Sequence, residues 1–248
     1  EDFLREVFFT PHQFNRLQSV LKRKKNVILS GPPGVGKTFV ARRAAFGLMG
    51  EKDPSRIEQV QFHQSYSYED FMMGFRPNAQ GGFELINGPF YNFCEKARED
   101  PDREYFFIID EINRGNVSKI FGELLMLIEA DKRGNELRLI YSDEFFSVPD
   151  NVYLIGTMNT ADQNVFTLDT AFQRRWAQHM ITNDVSESKY ASARILDTSI
   201  TWSRFVESAN ELIAERVRHG QVSEDKQIGA YFVSEEILKY TPVSDTVN

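Results

Sequence analysis

The stretch NVILSGPPGVGKTF, residues 26–39, decides the fold class of this 248-residue chain. Gly31, Gly36, Lys37 and Thr38 fit the pattern of a glycine, four residues, a second glycine, a lysine and a serine or threonine. An apolar run precedes the loop and a helical pattern follows it, so backbone N–H groups can surround an anion where the helix begins. The stretch therefore predicts a phosphate-binding loop, in which Lys37 reaches the terminal phosphates and Thr38 ligates Mg²⁺. The residues expected to contact a nucleotide here are Gly31, Pro32, Pro33, Gly34, Val35, Gly36, Lys37, Thr38 and Phe39.

A second element is YFFIIDEIN, residues 105–113, in which an apolar strand ends at two carboxylates. Asp110 suits the binding of Mg²⁺, either directly or through the other ligands of the ion. Glu111 can polarise a water molecule, and hydrolysis at such a site depends mainly on positioning and charge stabilisation. A carboxylate beside the metal aspartate therefore favours hydrolysis over binding alone.

Two further elements end in polar side chains. In VYLIGTMNTAD, residues 152–162, a strand ends at Asn159, which either holds the attacking water or the γ-phosphate or simply forms a turn. In LDTAFQRRW, residues 168–176, Arg174 and Arg175 close a helix just before the next strand. They are either cations that decorate a helix C-terminus or an arginine finger that reaches the nucleotide of a neighbouring subunit, and we expect the finger.

The composition is that of an ordinary globular protein, with 41% hydrophobic and 26% charged residues. No apolar run reaches the length of about 18 residues that a membrane span needs, and no export segment is visible. Cys94 is the only cysteine, so a disulfide framework and a cysteine zinc site are excluded and a cytoplasmic location is expected. The net charge of −7 argues against a whole-surface nucleic-acid binder but leaves a local basic groove open. Because the chain does not begin with Met, we expect it to be part of a longer protein.

Strand patterns alternate with helix patterns along most of the chain, which predicts an α/β fold with a parallel sheet covered by helices on both faces. We expect a large domain over 1–183 and a small, incomplete helical lid domain over 184–248. Two segments, 74–88 and 134–150, look like inserted β-hairpins and are either pore or partner elements or peripheral decoration. The predicted strands are 27–29, 57–62, 105–109 and 152–155, and the predicted helices are 11–25, opened by a Thr10–Gln13 capping pair, 38–49, 90–97, 117–128 and 202–217.

The four elements in this order, followed by a small helical domain, resemble the AAA+ superfamily. The strings GPPGVGKTF, QFHQSYSYEDF, FIIDEINRGNVSKIFGELLMLIEADKRG and IGTMNTAD look like those of the McrB family, the motor subunits of modified-cytosine-specific restriction systems. The resemblance is dense over about residues 3–182, and QIGAYF at 227–232 is similar to a motif of that family's lid.

This resemblance implies a ring-forming hydrolase, commonly a hexamer, that uses Mg²⁺ and prefers GTP over ATP. It also implies stimulation by an McrC-type endonuclease partner and translocation of DNA by the assembled complex. Carried onto this chain, it makes Asp110 the residue that assists the metal, Glu111 the base and Asn159 the sensor. Asp162 continues the family's Met-Asn-Thr-x-Asp-Arg signature and is expected in the nucleotide site.

The resemblance gives the two arginines a role in trans, with Arg175 the better candidate because it immediately precedes an aromatic residue. The chain departs from the family at Gln163 and Gln173, where an arginine is expected, and either change could weaken turnover or subunit contacts. A lid arginine that reaches the phosphates, Arg216 or Arg218, is the alternative to a solvated cation.

Other functions stay open from the sequence alone. The chain carries no nuclease and no cytosine-reading domain of the kind that precedes the motor in this family, so it is not expected to recognise modified bases by itself. The alternatives are an ATPase of the MoxR kind that remodels protein partners, and a ring scaffold that holds nucleotide with little turnover.

Overall fold

The computed structural model describes residues 11–32, 34–160, 166–181, 185, 191–195, 198–219 and 227–229. Thr10, Pro33, Ala161, Asp162 and Gln163 lie outside these residues. The helices in the described part are α1 (Pro11–Lys24), α2 (Lys37–Met49), α3 (Tyr68–Phe71), α4 (Pro89–Arg98), α5 (Val117–Phe121), α6 (Thr170–Gln173) and α7 (Trp202–Arg218). The strands are β1 (Asn26–Gly31), β2 (Ile57–Gln61), β3 (Met73–Pro77), β4 (Phe83–Asn87), β5 (Tyr105–Asp110), β6 (Leu137–Arg138), β7 (Phe145–Phe146), β8 (Val152–Asn159) and β9 (Ala177–Met180).

Five strands form one parallel sheet in the order β2-β5-β8-β1-β9. β5 lies between β2 and β8, with Gln61 opposite Asp110 on one side and Ile109 opposite Gly156 on the other. Parallel strands present their carboxyl ends at one edge of the sheet, so the ends of β5 and β8 meet there. The predicted α/β fold class with a parallel sheet is confirmed.

Both faces of the three central strands, β5, β8 and β1, are buried, which explains why these strands are almost continuously apolar. Side chains alternate between the two faces along each strand. Phe107 joins a large aromatic and aliphatic core in which the rings of Phe71 and Phe90 stack with centroids 4.7 Å apart. Phe106 points to the other face and stacks on Tyr153 of β8 with centroids 5.1 Å apart. The predicted helices therefore cover a sheet that has no solvent-facing side in its centre.

The two predicted insertions are β-hairpins. β3 and β4 pair antiparallel, with Met73 opposite Asn87. β6 and β7 form a short antiparallel pair, with Leu137 opposite Phe146. Both hairpins interrupt the alternation of strands and helices where the sequence predicts them, and their role stays a prediction.

One predicted helix is shorter than its apolar spacing suggests. The pattern predicts a helix over 117–128, but α5 ends at Phe121 and a 3₁₀ turn, Gly122–Leu125, follows. Gly122 has a φ of 50° and a ψ of −127°, a conformation that residues with a Cβ avoid. A Cβ at Gly122 would lie 3.3 Å from the ring of Tyr68, so the glycine also admits that ring. A tertiary contact has overridden the local helical pattern.

The chain divides into two compact units. One unit holds the residues up to Ser30 together with Thr38–Met180, and the other holds Gly31–Lys37 together with the residues from Ile181 onward. The predicted boundary at 183 falls among residues outside the described ones and stays a prediction. Among the helices that the structure describes, none is both long and apolar enough to cross a bilayer.

Candidate nucleotide site

The predicted phosphate loop joins β1 to α2, and its residues Gly31–Lys37 belong to the second compact unit. Gly34 and Gly36 have φ values of 76° and 74°, in the left-handed region that glycine adopts without a Cβ clash. A Cβ on Gly31 would lie 2.4 Å from the carbonyl oxygen of Ile181. The backbone therefore requires glycine at these three places, and a loop of this shape can direct its N–H groups at an anion.

Lys37 supplies the positive charge of the loop. The residue is 7% exposed, and its Nζ donates to the carbonyl oxygens of Gly31 at 3.1 Å and Pro32 at 2.7 Å. These acceptors offset the cost of burying an ammonium group. Lys37 also begins α2, whose first turn contains no acidic residue, so the helix dipole adds to its charge and favours an anion at that end.

A second segment of the same unit packs against the loop. A Cβ on Gly229 would lie 1.9 Å from the carbonyl oxygen of Gly34, so the two backbones are in direct contact. Asn210 of α7 fixes this segment, because Ile228 donates its N–H to Asn210 Oδ1 at 2.7 Å and accepts from Asn210 Nδ2 at 2.9 Å. The start of the predicted lid string QIGAYF therefore lies on the phosphate loop, and its residues 230–232 fall outside the described ones.

The first compact unit contains a group of polar side chains at the carboxyl ends of β5 and β8, which we call the carboxylate cluster. Asp110 ends β5 and Asn159 ends β8, as the sequence predicts. The cluster consists of Thr38, Asp110, Glu111, Thr157 and Asn159, which are connected by hydrogen bonds within this unit. The sheet edge therefore brings together residues that are up to 121 positions apart in the sequence, from 38 to 159.

Asp110 accepts two hydroxyl hydrogen bonds on one oxygen. Thr38 Oγ1 donates to Asp110 Oδ1 at 2.7 Å, and Thr157 Oγ1 donates to the same oxygen. The Thr38 hydroxyl keeps lone pairs for a metal ion while it donates its proton in the hydrogen bond to the carboxylate. Hydroxyl and carboxylate oxygens are the hard ligands that Mg²⁺ prefers, and Mg²⁺ commonly takes only one or two protein carboxylates beside phosphates and water.

This donor set fits Mg²⁺ shared with phosphate groups better than a metal cage made by protein alone. Within the described part of the chain, no group of three or more His, Cys, Asp or Glu side chains could hold a metal ion. Cys94 adds no metal or nucleophilic chemistry, because burial raises the pKa of its thiol to about 12.

Glu111 stands in an unusual backbone conformation. Its φ of 53° and ψ of 46° are left-handed, and a non-glycine residue there costs about 1–2 kcal/mol. The Glu111 N–H donates to Thr157 Oγ1 at 3.1 Å, which supports the turn. Asn159 Nδ2 donates to Glu111 Oε1 at 2.6 Å, and Arg114 Nε lies 3.2 Å from Oε2. Backbone strain of this kind concentrates at functional sites, so the turn marks Glu111 as a functional candidate.

Asn113 contacts the backbone of Asn159, at the end of β8. It is 3% exposed, and its Nδ2 donates to the carbonyl oxygen of Asn159 at 3.3 Å. The backbone carbonyl oxygen of Asn113 accepts a hydrogen bond from the backbone N–H of Phe166 at 2.8 Å. Asn113 Oδ1 is buried and accepts no hydrogen bond from the residues that the structure describes. The side chain thus adds an acceptor beside Asn159.

Comparison with known proteins agrees with this geometry. Residues 26–176 match the family model described as AAA domain (dynein-related subfamily). The chain belongs to the AAA domain family. It is 55% identical over 185 residues to the "Type IV methyl-directed restriction enzyme EcoKMcrB subunit" of Escherichia coli (strain K12), across 71% of this chain and 39% of that protein. The predicted resemblance to McrB is confirmed.

Two other relatives of this AAA domain are more distant. The "Type II restriction enzyme BsuMI component YdiS" of Bacillus subtilis (strain 168) is 26% identical over 271 residues, across 91% of this chain and 76% of that protein. A solved structure from Cytophaga hutchinsonii aligns with 95% of this chain and 58% of its own, at 18% identity and a TM-score of 0.46. The chain spans about two fifths of the length of the E. coli subunit.

The two predicted finger arginines of the AAA domain have different surroundings. Arg175 is 16% exposed, and its NH2 lies 2.8 Å from Glu129 Oε1 of the same chain. Its backbone carbonyl accepts from Asn26 Nδ2 at 2.9 Å. Arg174 caps the end of α6 and is exposed to solvent. The preference for Arg175 stays a prediction; its guanidinium pairs with Glu129 of the same chain, whereas Arg174 lies at the surface.

The remaining predicted residues fall into three groups. Val35 is buried in the loop, and Phe39 is exposed beneath the guanidinium of Arg43, whose Cζ lies 4.6 Å from the ring centroid. Gln173 is engaged within the chain, since its Nε2 donates to the carbonyl oxygen of Leu168 at 2.8 Å. Pro33 and Asp162, predicted at the nucleotide, and the departure at Gln163 lie outside the described residues.

Sequence reasoning missed two members of the site, Thr157 and Arg114. Thr157 stands two positions before Asn159 in a strand that is otherwise almost wholly apolar, and residues two apart share a strand face. A hydroxyl on the same strand face as Asn159, in an otherwise apolar run, was therefore a signal that the sequence offered. Arg114 follows Glu111 by three residues, but nothing in the spacing indicates that it pairs with that carboxylate.

Proposed function

We propose that the chain is a Mg²⁺-dependent nucleoside triphosphate hydrolase. The observation that carries this proposal is the carboxylate cluster, in which a hydroxyl and a carboxylate suited to Mg²⁺ adjoin a second, strained carboxylate. In this proposal Thr38 and Asp110 hold the ion, which neutralises phosphate charge when bound. Lys37 and the loop amides bind the phosphates, and Glu111 polarises the attacking water.

Asn159 and Arg114 control how available Glu111 is as a base. Both oxygens of the Glu111 carboxylate accept hydrogen bonds in this structure, one from each of these side chains. The Arg114 side chain is 47% exposed, so its ion pair is the weaker of the two contacts and the easier to open. We expect Asn159 to keep the carboxylate oriented while the Arg114 contact opens to admit the water.

We further propose that the chain is the ring-forming motor part of a DNA restriction complex. The similarity to the E. coli subunit at 55% identity supports this assignment. The proposal includes a preference for GTP over ATP, a hexameric ring, an McrC-type endonuclease as partner and translocation of DNA by the assembled complex. It assigns no nuclease activity to this chain, and a cytoplasmic location, expected from the single Cys94, stays part of the proposal.

Phosphate release from GTP and ATP, measured with and without an McrC-type partner, tests the proposal. Replacing the base with an amide, Glu111→Gln, is expected to lower kcat by about 10²–10⁴ because general-base assistance contributes that much. Glu99→Gln, at an exposed glutamate directly after α4, is the matched control and should behave as the parent.

Several outcomes would contradict parts of this assignment. Equal hydrolysis by Glu111→Gln and the parent would exclude Glu111 as the base. A preference for ATP together with indifference to DNA and to the endonuclease would favour a remodelling ATPase of the MoxR kind. Tight nucleotide binding without hydrolysis, even in the assembled complex, would favour a nucleotide-holding scaffold.

A further inference from the structure

Thr157 connects the two carboxylate residues of the cluster. Its Oγ1 donates to Asp110 Oδ1 and accepts the N–H of Glu111 at 3.1 Å. The side chain is 1% exposed, so water cannot replace either partner if the hydroxyl is removed. A hydroxyl has one donor and two lone pairs, and here the donor and one lone pair are both committed.

The position of Thr157 follows from the strand register. Ile109 of β5 stands opposite Gly156 of β8, so Thr157 comes level with the end of β5, where Asp110 and the left-handed turn at Glu111 begin. Gly156 keeps this region close, because a Cβ there would lie 3.0 Å from Ile112 Cδ1. The hydroxyl is thus held at the one point of β8 from which it reaches both the metal aspartate and the backbone of the base.

We propose that Thr157 is a positioning residue that couples the Mg²⁺ aspartate to the catalytic glutamate. By donating to Asp110 Oδ1 it fixes the plane of that carboxylate, and by accepting from the Glu111 N–H it stabilises the left-handed turn that sets the direction of the base. It does not itself touch substrate. The proposal rests on the hydrolase function proposed above and extends it to a residue to which the sequence pattern alone gives no role.

Binding in the presence and absence of Mg²⁺ tests the first half of this role without requiring turnover. The measurement is the Kd of the 248-residue chain for a non-hydrolysable GTP analogue, and for its ATP counterpart, in excess Mg²⁺ and in EDTA. Thr157→Val keeps the shape and removes the hydroxyl. We expect it to reduce the gain in affinity that Mg²⁺ provides by about 10- to 100-fold, the effect of one lost hydrogen bond to a charged group. Affinity in EDTA should stay within about twofold of the parent.

Turnover tests the second half. At saturating nucleotide and Mg²⁺, Thr157→Val should lower kcat by about tenfold or more, because a small misplacement of a catalytic group has effects of this size. Thr157→Ser restores the hydroxyl and should recover both Mg²⁺-dependent binding and kcat. Ser147→Ala is the control for loss of a buried hydroxyl elsewhere, since Ser147 is 8% exposed and accepts from Arg98 NH1 at 3.1 Å. It should change thermal stability only.

The outcomes separate this proposal from the function on which it rests. A parent chain that neither binds nor hydrolyses nucleotide would refute the hydrolase function. A functional parent with an unchanged Mg²⁺ effect and kcat in Thr157→Val would overturn the positioning role alone, and so would a loss in Thr157→Ser as large as in Thr157→Val. If Thr157→Val does not fold, Thr157→Cys decides, because a thiol is a weak donor: the Mg²⁺ effect should fall, and its full retention would overturn the proposal.

Discussion

The left-handed backbone at Glu111 predicts that the protein with glycine at position 111 is more stable than the protein with alanine there. Glu111→Gly and Glu111→Ala remove the same carboxylate contacts, with Asn159 and Arg114, so those losses cancel when the two variants are compared. Glycine relieves about 1–2 kcal/mol of backbone strain. Glycine also has more conformational freedom in the unfolded chain, which lowers the free energy of unfolding by about 0.5–1 kcal/mol relative to alanine. The free energy of unfolding of Glu111→Gly should therefore exceed that of Glu111→Ala by roughly 0.5–1 kcal/mol.

Thermal unfolding without nucleotide, checked by urea denaturation, measures this difference. For a protein of about this size 1 kcal/mol corresponds to about 2–4 °C in Tm, so Glu111→Gly should melt about 1–4 °C above Glu111→Ala. The matched control is Glu95 in α4 (Pro89–Arg98), where Glu95→Gly should be less stable than Glu95→Ala by about 1 kcal/mol. The difference in stability between the glycine and the alanine variant is therefore predicted to have opposite signs at positions 111 and 95.

The same variants connect stability to function. Both Glu111 substitutions should lose hydrolysis, although one of them relieves strain, because a carboxylate is needed where the chain would prefer glycine. An Ala variant as stable as the Gly variant at position 111 would refute the strained turn. Hydrolysis at the parental rate in either variant would refute its link with catalysis.

Two further predictions concern the two arginines Arg174 and Arg175 and the aspartate Asp53. Arg175→Ala should lower the free energy of unfolding by roughly 1–2 kcal/mol through loss of its partly buried ion pair, whereas Arg174→Ala should leave Tm unchanged and lower hydrolysis in the assembled protein by about 10³-fold or more. The Ser55 hydroxyl and then the Arg56 guanidinium lower the pKa of Asp53 to about 2, below its ordinary value of 3.8. The stability that this lowered pKa provides is present above pH 3.8 and is lost as the pH falls toward 2. The difference in free energy of unfolding between the parent and Asp53→Asn should therefore shrink across that pH window in acid unfolding experiments. A difference that stays constant across the window would refute the lowered pKa.

The sheet and the ends of its strands were predictable because they follow from short-range rules. The glycines of the loop and the apolar run before it predict a strand, a turn and a helix. The polar residues Asp110 and Asn159 that end two apolar runs then had to meet, since parallel strands share a carboxyl edge. The parallel topology was therefore enough to predict that Asp110 and Asn159 lie close together.

Other features depended on contacts between distant parts of the chain. Gly122 interrupts a helix because the ring of Tyr68, 54 residues earlier in the sequence, packs against it. The guanidinium of Arg175 pairs with Glu129 of the same chain. The aromatic neighbour that made Arg175 the better candidate for a role in trans gives no sign of this ion pair. No periodicity or motif encodes such pairings, which are decided by how the elements pack.

The role of Thr157 required the register of two strands. A threonine in a buried strand is by itself an ordinary β-favouring residue. Its hydroxyl acquires a role only because Ile109 stands opposite Gly156, which brings it to Asp110. The sequence could have drawn attention to the hydroxyl, but only the structure identifies its partners.

The central claim is that the glycine loop and its lysine bind the phosphates of a nucleoside triphosphate. The most direct test is the Kd of a fluorescent, non-hydrolysable GTP or ATP analogue for the parent, for Lys37→Ala and for Lys52→Ala, an exposed lysine outside the loop. We expect Lys37→Ala to weaken binding by about 10- to 100-fold, because it removes a charge-assisted contact to phosphate, and Lys52→Ala to bind as the parent does. An unchanged Kd in Lys37→Ala would contradict the central claim.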